Sequence, residues 1–408
     1  MTCLRASTAK EVAAVVSAAM AGAQPVEIRS GGSKRGLGRP TQVETVLDVS
    51  GVAGIVEYEP AELVLTAAAA TPLADIEAAL VFHGQMLAFE PPDWRRLLGS
   101  ETTAPTLGGV IACNLAGPRR IKSGAARDHF LGFEAVNGRG EIFRAGGKVV
   151  KNVTGYDLCK LFAGAYGTLG ALTEVALKVL PRPETVRTVV LRCADEGAWQ
   201  PALAECPNSP YELSGAAFLP RATAARSRVA PVAGAGSGMA AVRVEGHTPS
   251  VTYRAGEIVA MLRGRRETDL LGREDSALLW REIGDAAALV EPSARPVWRV
   301  SLTPSAGPAF AAAVAAQASA DGVFDWGGGL VWFALASDAA EAGDAIVRAA
   351  LAANGGGHAT LVRAPDAVRA SVPVFEPLAG PLSTLIARVK GSVDPLRVRN
   401  PGRMHGGI

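Results

Sequence analysis

The sequence predicts an α+β chain of two domains closed by a short returning tail. Three observations carry that expectation. The 408 residues exceed what one hydrophobic core usually organises. Short strands and helices alternate with glycine-dense loops through residues 1–183, where Pro181 and Pro183 stop the run. From 184 to about 385 strands and helices continue without such loops, and the segment 386–408 is turn-rich and basic, as expected of a piece that folds back onto the first domain.

The first helix opens on Thr8-Ala9-Lys10-Glu11, a capping box in which a hydroxyl and a carboxylate cover free amides of the first turn. Val12, Val15, Val16, Ala19 and Met20 recur behind it at helical spacing, to about Gly22. A strand follows at Val26–Ser30. Thr71-Pro72 starts a second helix with proline at its first position, carrying Leu73, Ile76 and Leu80 on one face and stopping at Gly84. Asn137-Gly138, set between the apolar runs 130–136 and 141–145, predicts a tight hairpin whose two central residues take positive φ. Val175, Leu177 and Val179 alternate as a further strand, and Ala230–Gly238 reads as an exposed loop.

Composition excludes several classes of function. A formal net charge of +2 lacks the clustered excess of Lys and Arg that a polynucleotide needs. Lys10 and Glu11 interrupt the N-terminal apolar run, so a secretory signal is not expected, and no stretch reaches the roughly 18 apolar residues of a membrane span. The chain reads as cytoplasmic. Five cysteines, none in a CxxC pair, argue for buried thiols rather than a disulfide framework, zinc or an iron–sulfur cluster.

The stretch "VEIRSGGSKRGLG" (26–38) ends a strand in Gly31, Gly32, Gly36 and Gly38 with Ser30, Ser33, Lys34 and Arg35 among them. Such a loop can turn successive backbone N–H groups inward around phosphate oxygens, with the two cations adding charge, although a plain turn has the same appearance. It is neither a P-loop nor a GxGxxG turn. Two more glycine-dense stretches, "APTLGGVIACNLAGPRRIKSGAARD" (104–128) and "KNVTGYDLCKLFAGAYGTLGALTEV" (151–175), follow in order.

With those stretches in sequence, residues 1–183 resemble the flavin-binding domain of the vanillyl-alcohol oxidase and p-cresol methylhydroxylase type. The resemblance implies two α/β subdomains and a cap of antiparallel sheet with helices over 184–385, the flavin lying between. It implies that Ser30, Gly31, Gly32, Ser33, Lys34 and Arg35 wrap the FAD diphosphate. Pro91, Thr106, Leu107, Gly108, Gly109, Ala116, Gly117, Ser123, Gly124 and Asp128 would line the ribityl chain and ring. Gly164, Gly167, Gly170, Thr173 and Val175 would meet the adenine half. Members that bind flavin covalently often read Arg-Ser-Gly-Gly-His; here Arg29-Ser30-Gly31-Gly32-Ser33 implies non-covalent FAD.

Within this superfamily the chain resembles the FAD-binding subunits of bacterial glycolate oxidase, through "GQMLAFEPP" (84–92), "LAGPRRIKSGAARD" (115–128), "VVKNVTGYDL" (149–158), "LPRP" (180–183), "WRVSL" (298–302), "DWGGGLVW" (325–332), "GGHAT" (356–360) and "NPGRM" (400–404). That resemblance implies oxidation of glycolate, a small 2-hydroxy acid, to glyoxylate, with a larger flavin subunit and an iron–sulfur subunit as partners. Removing a hydride from C2 requires a base for the hydroxyl proton and a cation for the carboxylate. His358 is the candidate base and Arg299 the candidate clamp, against the alternatives of a structural histidine and a surface arginine. Related dehydrogenases carry a Gly-Asp-Gly-Asn-x-His segment and a later His-Gly pair that hold a metal. Here the Asp is missing before His358, and His405-Gly406 lies at the C-terminus, so no metal is expected. A free-standing 2-hydroxyacid dehydrogenase and a non-catalytic assembly subunit remain as rival readings. Arg119, Arg120, Lys122, Arg397, Arg399 and Arg403 are expected on solvated faces, against the alternative that beside a dinucleotide they neutralise phosphate or dock a partner subunit, and Trp326 is expected to pack rather than stack.

Overall fold

The computed structural model describes residues 2–101, 103–148, 155–193, 199–262 and 267–407. The 149–154 part of the VVKNVTGYDL stretch lies outside them. The chain begins with β1 (Thr2–Arg5), β2 (Val26–Arg29) and β3 (Thr45–Asp48), a parallel sheet with β3 in the middle. The helix Ala9–Ala21 crosses between β1 and β2 and buries Val12 and Val16. Thr8 Oγ1 accepts from Glu11 N at 3.2 Å, while the Glu11 carboxylate accepts from Ser7 N (2.7 Å), one residue before the cap.

Next come β4 (Ile55–Glu59), β5 (Val64–Ala68), β6 (Gln85–Met86), β7 (Phe130–Val136), β8 (Ile142–Gly146), β9 (Ala171–Lys178) and β10 (Leu180–Pro181). Strands β4, β5, β9, β7 and β8 lie side by side in that order, every pair antiparallel, and β6 pairs with β10. The hairpin between β7 and β8 exists, but its turn differs from the expected one. Positive φ falls on Gly140 (77°), not on Asn137 or Gly138. Asn137 Oδ1 accepts from the amides of Arg139 (2.9 Å) and Glu141 (3.0 Å), which closes a wider loop. Gly138 is needed for another reason: a Cβ there would stand 2.5 Å from the Asp394 carboxylate.

The remaining strands are β11 (Thr185–Cys193), β12 (Gly215–Leu219), β13 (Gly238–Gly246), β14 (Thr268–Leu271), β15 (Val297–Ser301), β16 (Ala320–Asp325), β17 (Leu330–Leu335) and β18 (His358–Arg363). They form one antiparallel sheet in the order β14-β11-β13-β12-β16-β17-β15-β18. Alternation splits its side chains between two cores. One face packs Trp298, Val300 and Phe333 against the helices Thr248–Leu262, Gly307–Ala315 and Asp344–Ala353. The other carries Val323, Leu330 and Trp332 into a core shared with Phe89, Trp94, Leu107 and Ile111. Ala230–Ala233, expected within a loop, is a short helix pinned by buried Val232. Three cysteines are buried as expected, but Cys3 is exposed on edge strand β1 and Cys113 is half-buried.

After the helix Gly380–Val393 the chain lies across the first two sheets. Val26 N donates to Val398 O (2.7 Å), and Asn400 N to Val26 O (3.0 Å). At the base, Lys390 Nζ donates to Asp394 Oδ2 (2.7 Å), Thr168 O (2.7 Å) and Arg399 O (2.9 Å). Arg399 in turn donates to Val136 O (2.9 Å) and Leu169 O (2.8 Å). Arg399 is fully buried and Arg403 8% exposed, so these two do not lie on a solvated face. Carbonyls left over at loop ends need donors, and a guanidinium supplies several at once.

Replacing Lys390 by Met leaves Asp394 buried with one partner fewer and is expected to lower stability by about 3–5 kcal/mol in urea unfolding. A second expectation concerns Asp285, whose carboxylate accepts from Asp93 N at 2.7 Å beside the Trp94 Nε1–Gly284 O bond (3.0 Å). Burial pushes its carboxyl up to about 6, against the pull of the Asp93 amide and Arg281. Folding therefore disfavours its charged form, a penalty absent below about pH 4 and complete above pH 7. Asp285→Asn should melt roughly 2–4 °C higher at pH 7.5 and match the parent at pH 4 by scanning calorimetry.

Candidate functional site

A cleft of about 810 Å³ opens where β2 ends, between the 30–35 loop, the helix Leu107–Ala112 and the 166–172 loop. Its floor is main chain. Among the described residues, the amides of Gly31, Gly32, Ser33 and Lys34 have no hydrogen-bond acceptor. Ser30 Oγ is buried without a partner. Gly32 takes φ 81°, and a Cβ on Gly31 would overlap the Ala104 carbonyl. Lys34 Nζ donates to Ser33 Oγ (3.3 Å), and burial lowers its pKa, which marks an ammonium short of counter-charge. Arg403, whose pKa burial also lowers, donates to Lys34 O (3.2 Å) and Arg35 O (3.1 Å) from behind the loop. Such convergent amides beside desolvated cations suit a diphosphate.

The other walls assign the glycines distinct tasks. Thr106 caps the helix Leu107–Ala112, its Oγ1 accepting from Gly109 N at 3.4 Å. A Cβ on Gly108 would meet Ala69 O at 2.8 Å, so this glycine, at the edge of the cleft, seats the helix against the residue that follows β5. Gly109 also lines the cleft, with Lys34 Cδ 3.6 Å from where its Cβ would stand. Gly167 and Gly170 line the far side with Tyr166, a non-glycine residue held at φ 52°. Burial and the neighbouring Cys113 thiol raise the pKa of the Tyr166 hydroxyl, and burial pushes Cys113 up to about 11.

Of the residues anticipated from sequence, Ser30 to Arg35, Thr106, Gly108, Gly109, Gly167 and Gly170 come together around this cleft. Others lie apart from it. Leu107 and Val175 are core, Gly164 makes a left-handed turn (φ 84°), and Thr173 donates to Glu134 Oε1 (3.0 Å) within the five-stranded sheet. Ser123, Gly124 and Asp128 form a closed turn. Asp128 accepts from Ala125 N (2.8 Å) and pairs with Lys160 (3.1 Å), which outweigh burial and hold its carboxyl below the usual range. Ala116 is buried in the shared core, and Pro91 borders a second cavity of about 1260 Å³. Ile28, Cys113, Tyr166 and Asn400 line the cleft unanticipated, and Arg403 lines it in keeping with the phosphate-neutralising alternative rather than the solvated face.

Facing the cleft side of the molecule, the eight-stranded sheet presents Arg299 opposite Trp332 in register. The Arg299 guanidinium lies 5.0 Å from the Trp326 ring centroid and 5.8 Å from that of Trp332, with Arg120 4.6 Å from Trp326. Arg299 Nε is buried without an acceptor. Burial, then Arg120, pushes the Arg299 pKa down to about 10, and no ion pair reaches this cation among the described residues. His358 pairs with Ser301 two positions along the same face, but it is exposed and borders neither cavity. Trp326 donates its Nε1–H to Gly117 O (3.2 Å), so it packs and also carries two cations on its ring. Arg119, expected in solvent, is mostly buried against Glu245 (2.8 Å). Among the described residues no cluster of three His, Cys, Asp or Glu side chains could hold a metal, and no helix is long and apolar enough to cross a membrane.

A family model described as an FAD binding domain matches residues 3–146. Glycolate oxidase subunit GlcE of Escherichia coli is 37% identical over 391 residues, covering 96% of this chain and 95% of that protein. Glycolate oxidase subunit GlcD of Bacillus subtilis is 38% identical over 151 residues, 37% of this chain and 30% of that one. The structure of p-cresol methylhydroxylase with substrate bound superposes with a TM-score of 0.68 at 14% identity, over 99% of this chain and 88% of that one, and shares its fold. The cofactor is FAD, and the acceptor-free amides, the unpartnered Ser30 hydroxyl and the cations of Lys34 and Arg403 fit its diphosphate. Likeness along nearly its whole length makes this chain a member of the glycolate oxidase subunit GlcE family of FAD-linked oxidoreductases.

Proposed function

We propose that this chain is the FAD-binding subunit of an assembly that oxidises glycolate to glyoxylate in the cytoplasm. Its partners would be a larger flavin subunit and an iron–sulfur subunit that receive the electrons, and any contact with a membrane would come through them. The observation that carries the reading is the Arg299 guanidinium beside two indoles, its Nε buried without an acceptor and no ion pair reaching it among the described residues. A buried cation without a counter-ion is costly, and a carboxylate ligand would offset that cost. We read the chain as an FAD domain (1–183), a cap (184–385) and a closing segment (386–408).

In this reading residues 30–35 hold the diphosphate through main-chain amides, Lys34 and Arg403 balance its charge, and Gly109 leaves room for the cofactor's body. Bound non-covalently, FAD supplies the two-electron acceptor for the C2 hydride of the substrate. Arg299 grips the carboxylate and fixes which C–H bond points at the acceptor. His358, one strand away on the same face, takes the hydroxyl proton as the carbonyl of glyoxylate forms. The indoles of Trp326 and Trp332 exclude water from the clamp and favour a two-carbon acid.

Purified alone, the chain should be yellow and release intact FAD on acid precipitation. Glycolate-dependent dye reduction should appear only after the partner subunits are added, whereas a colourless protein would refute the reading. Gly109→Val should weaken FAD affinity at least about tenfold by equilibrium dialysis, since one crowded contact removes 1.4 kcal/mol or more. Arg299→Met should keep its flavin and raise KM for glycolate about 10- to 100-fold, the value of a lost charged hydrogen bond.

A further inference from the structure

The loops 84–92 and 115–128 are tied to the large sheet, beside the second cavity, by four charges in a row. Glu90 receives a bidentate bond from Arg243 (2.9 and 3.0 Å) and a third bond from Arg119 N (2.9 Å). Arg119 is bidentate to Glu245 (3.0 and 2.8 Å), and Arg243 stands 3.7 Å from the same carboxylate. Arg243, 2% exposed, also donates to Ser214 Oγ (3.1 Å) and Ser214 O (2.9 Å) and lies 4.6 Å from the Trp280 ring centroid. Burial opposes charge on both acids, yet the two arginines hold Glu90 below its usual range and take Glu245 down to about 2. The row is therefore fully charged at neutral pH.

What it holds is specific. Glu90 and Arg119 belong to the stretches 84–92 and 115–128, while Arg243 and Glu245 are on β13 of the large sheet. Glu90 is kept at φ 53°, where its carbonyl oxygen sits so close to Gly117 that a Cβ there would overlap it. Gly117 N donates to Phe89 O (3.0 Å), and Gly117 O accepts from Trp326 Nε1 (3.2 Å). Trp326 is the ring against which Arg299 lies. A continuous path thus runs from the charge row through Gly117 and Trp326 to the carboxylate clamp.

We propose that Glu90, Arg119, Arg243 and Glu245 are positioning residues that fix the Gly117 loop, and through its bond to Trp326 fix Arg299, for carboxylate binding. This rests on the role given to Arg299 under the proposed function. None of the four touches substrate; they act through the loop. An isolated structural ion-pair row would instead affect stability and leave ligand affinity unchanged.

The test is a double-variant cycle on the FAD-loaded chain with Glu90→Gln and Trp326→Phe, the second removing the Nε1–H with part of the indole and keeping an aromatic face for Arg299. The probe is oxalate, a carboxylate with no C2 hydrogen to lose, titrated by its perturbation of flavin absorbance. Amide exchange at 115–119 is measured in the cofactor-free chain. Each variant should weaken oxalate binding about tenfold, and the double variant should be no weaker than either alone, because both cut one path. Exchange at 115–119 should quicken in Glu90→Gln, and in the assembly KM for glycolate should rise while kcat holds. Unchanged oxalate affinity in either variant, or additive losses, would overturn the proposal. Should Glu90→Gln fail to fold, Glu245→Gln takes its place in the same cycle with the same outcomes, and Trp326→Phe with parental oxalate affinity overturns the proposal alone. A parent chain that binds FAD but neither perturbs with oxalate nor supports glycolate oxidation would instead remove the Arg299 role, and this proposal with it.

Discussion

Four consecutive amides, those of Gly31 to Lys34, without an acceptor among the described residues are the constraint on which the rest of the structure turns. A main-chain segment that bonds to nothing within the protein collapses onto itself or onto water unless something else fixes it. Here the loop 30–35 is fixed from below by Glu27, which pairs with Arg35 (3.3 Å), and from behind by Arg403. Arg403 is itself placed by the bond between Asn400 Oδ1 and Ile28 N (2.8 Å). The loop is thus preorganised by a segment some 370 residues away in sequence, and its shape depends on bringing the C-terminal part of the chain home.

The same segment explains why the buried charges are where they are. Lys390, Asp394 and Arg399 are at most 1% exposed in their side chains, and burial takes Lys390 down to about 8 and Arg399 to about 10. Ions in such a place do not stabilise cheaply. They satisfy the carbonyls of Val136, Thr168 and Leu169, which end strands or turn through the loop that borders the FAD cleft. An apolar replacement would fill the volume and leave three acceptors orphaned. Specific seating of the 166–170 loop is what the charges contribute.

Legibility in the sequence follows the range of each interaction. Gly32 and Gly167 could be read because local backbone geometry demands glycine, and the order of the glycine-dense loops along the chain carried the FAD family. The tasks of individual glycines in those loops could not be read: Gly108 faces Ala69, a contact set by tertiary packing. Asn137-Gly138 misled because the side chain of Asn137 offered its own turn and Asp394 claimed the space beside Gly138. Basic clusters at 119–122 and 397–403 look solvated in a sequence, since nothing local marks the carbonyls and carboxylates, from Lys34 O to Glu245, that receive them. Tyr166 was hidden within a glycine-rich loop, where a residue at positive φ is expected to be glycine.

Charge around Trp326 favours an anion. Arg299 and Arg120 flank its ring; Asp128 acts on Arg120, and the acid that acts on Arg299 is Asp325, 2% exposed, whose carboxyl burial pushes up to about 7. Its Oδ1 is already engaged by Trp326 N (2.7 Å), a bond that holds the indole at φ 53°. Burial therefore works against charge on the acid while both guanidinium groups keep their protons, and the balance of the face leans positive. Full ionisation of Asp325 would neutralise one cation and slacken the demand for a ligand. Keeping that acid buried leaves the demand in place, and the indole it holds is the one that both receives Arg299 and bonds Gly117, so a single short turn sets the field and the geometry together.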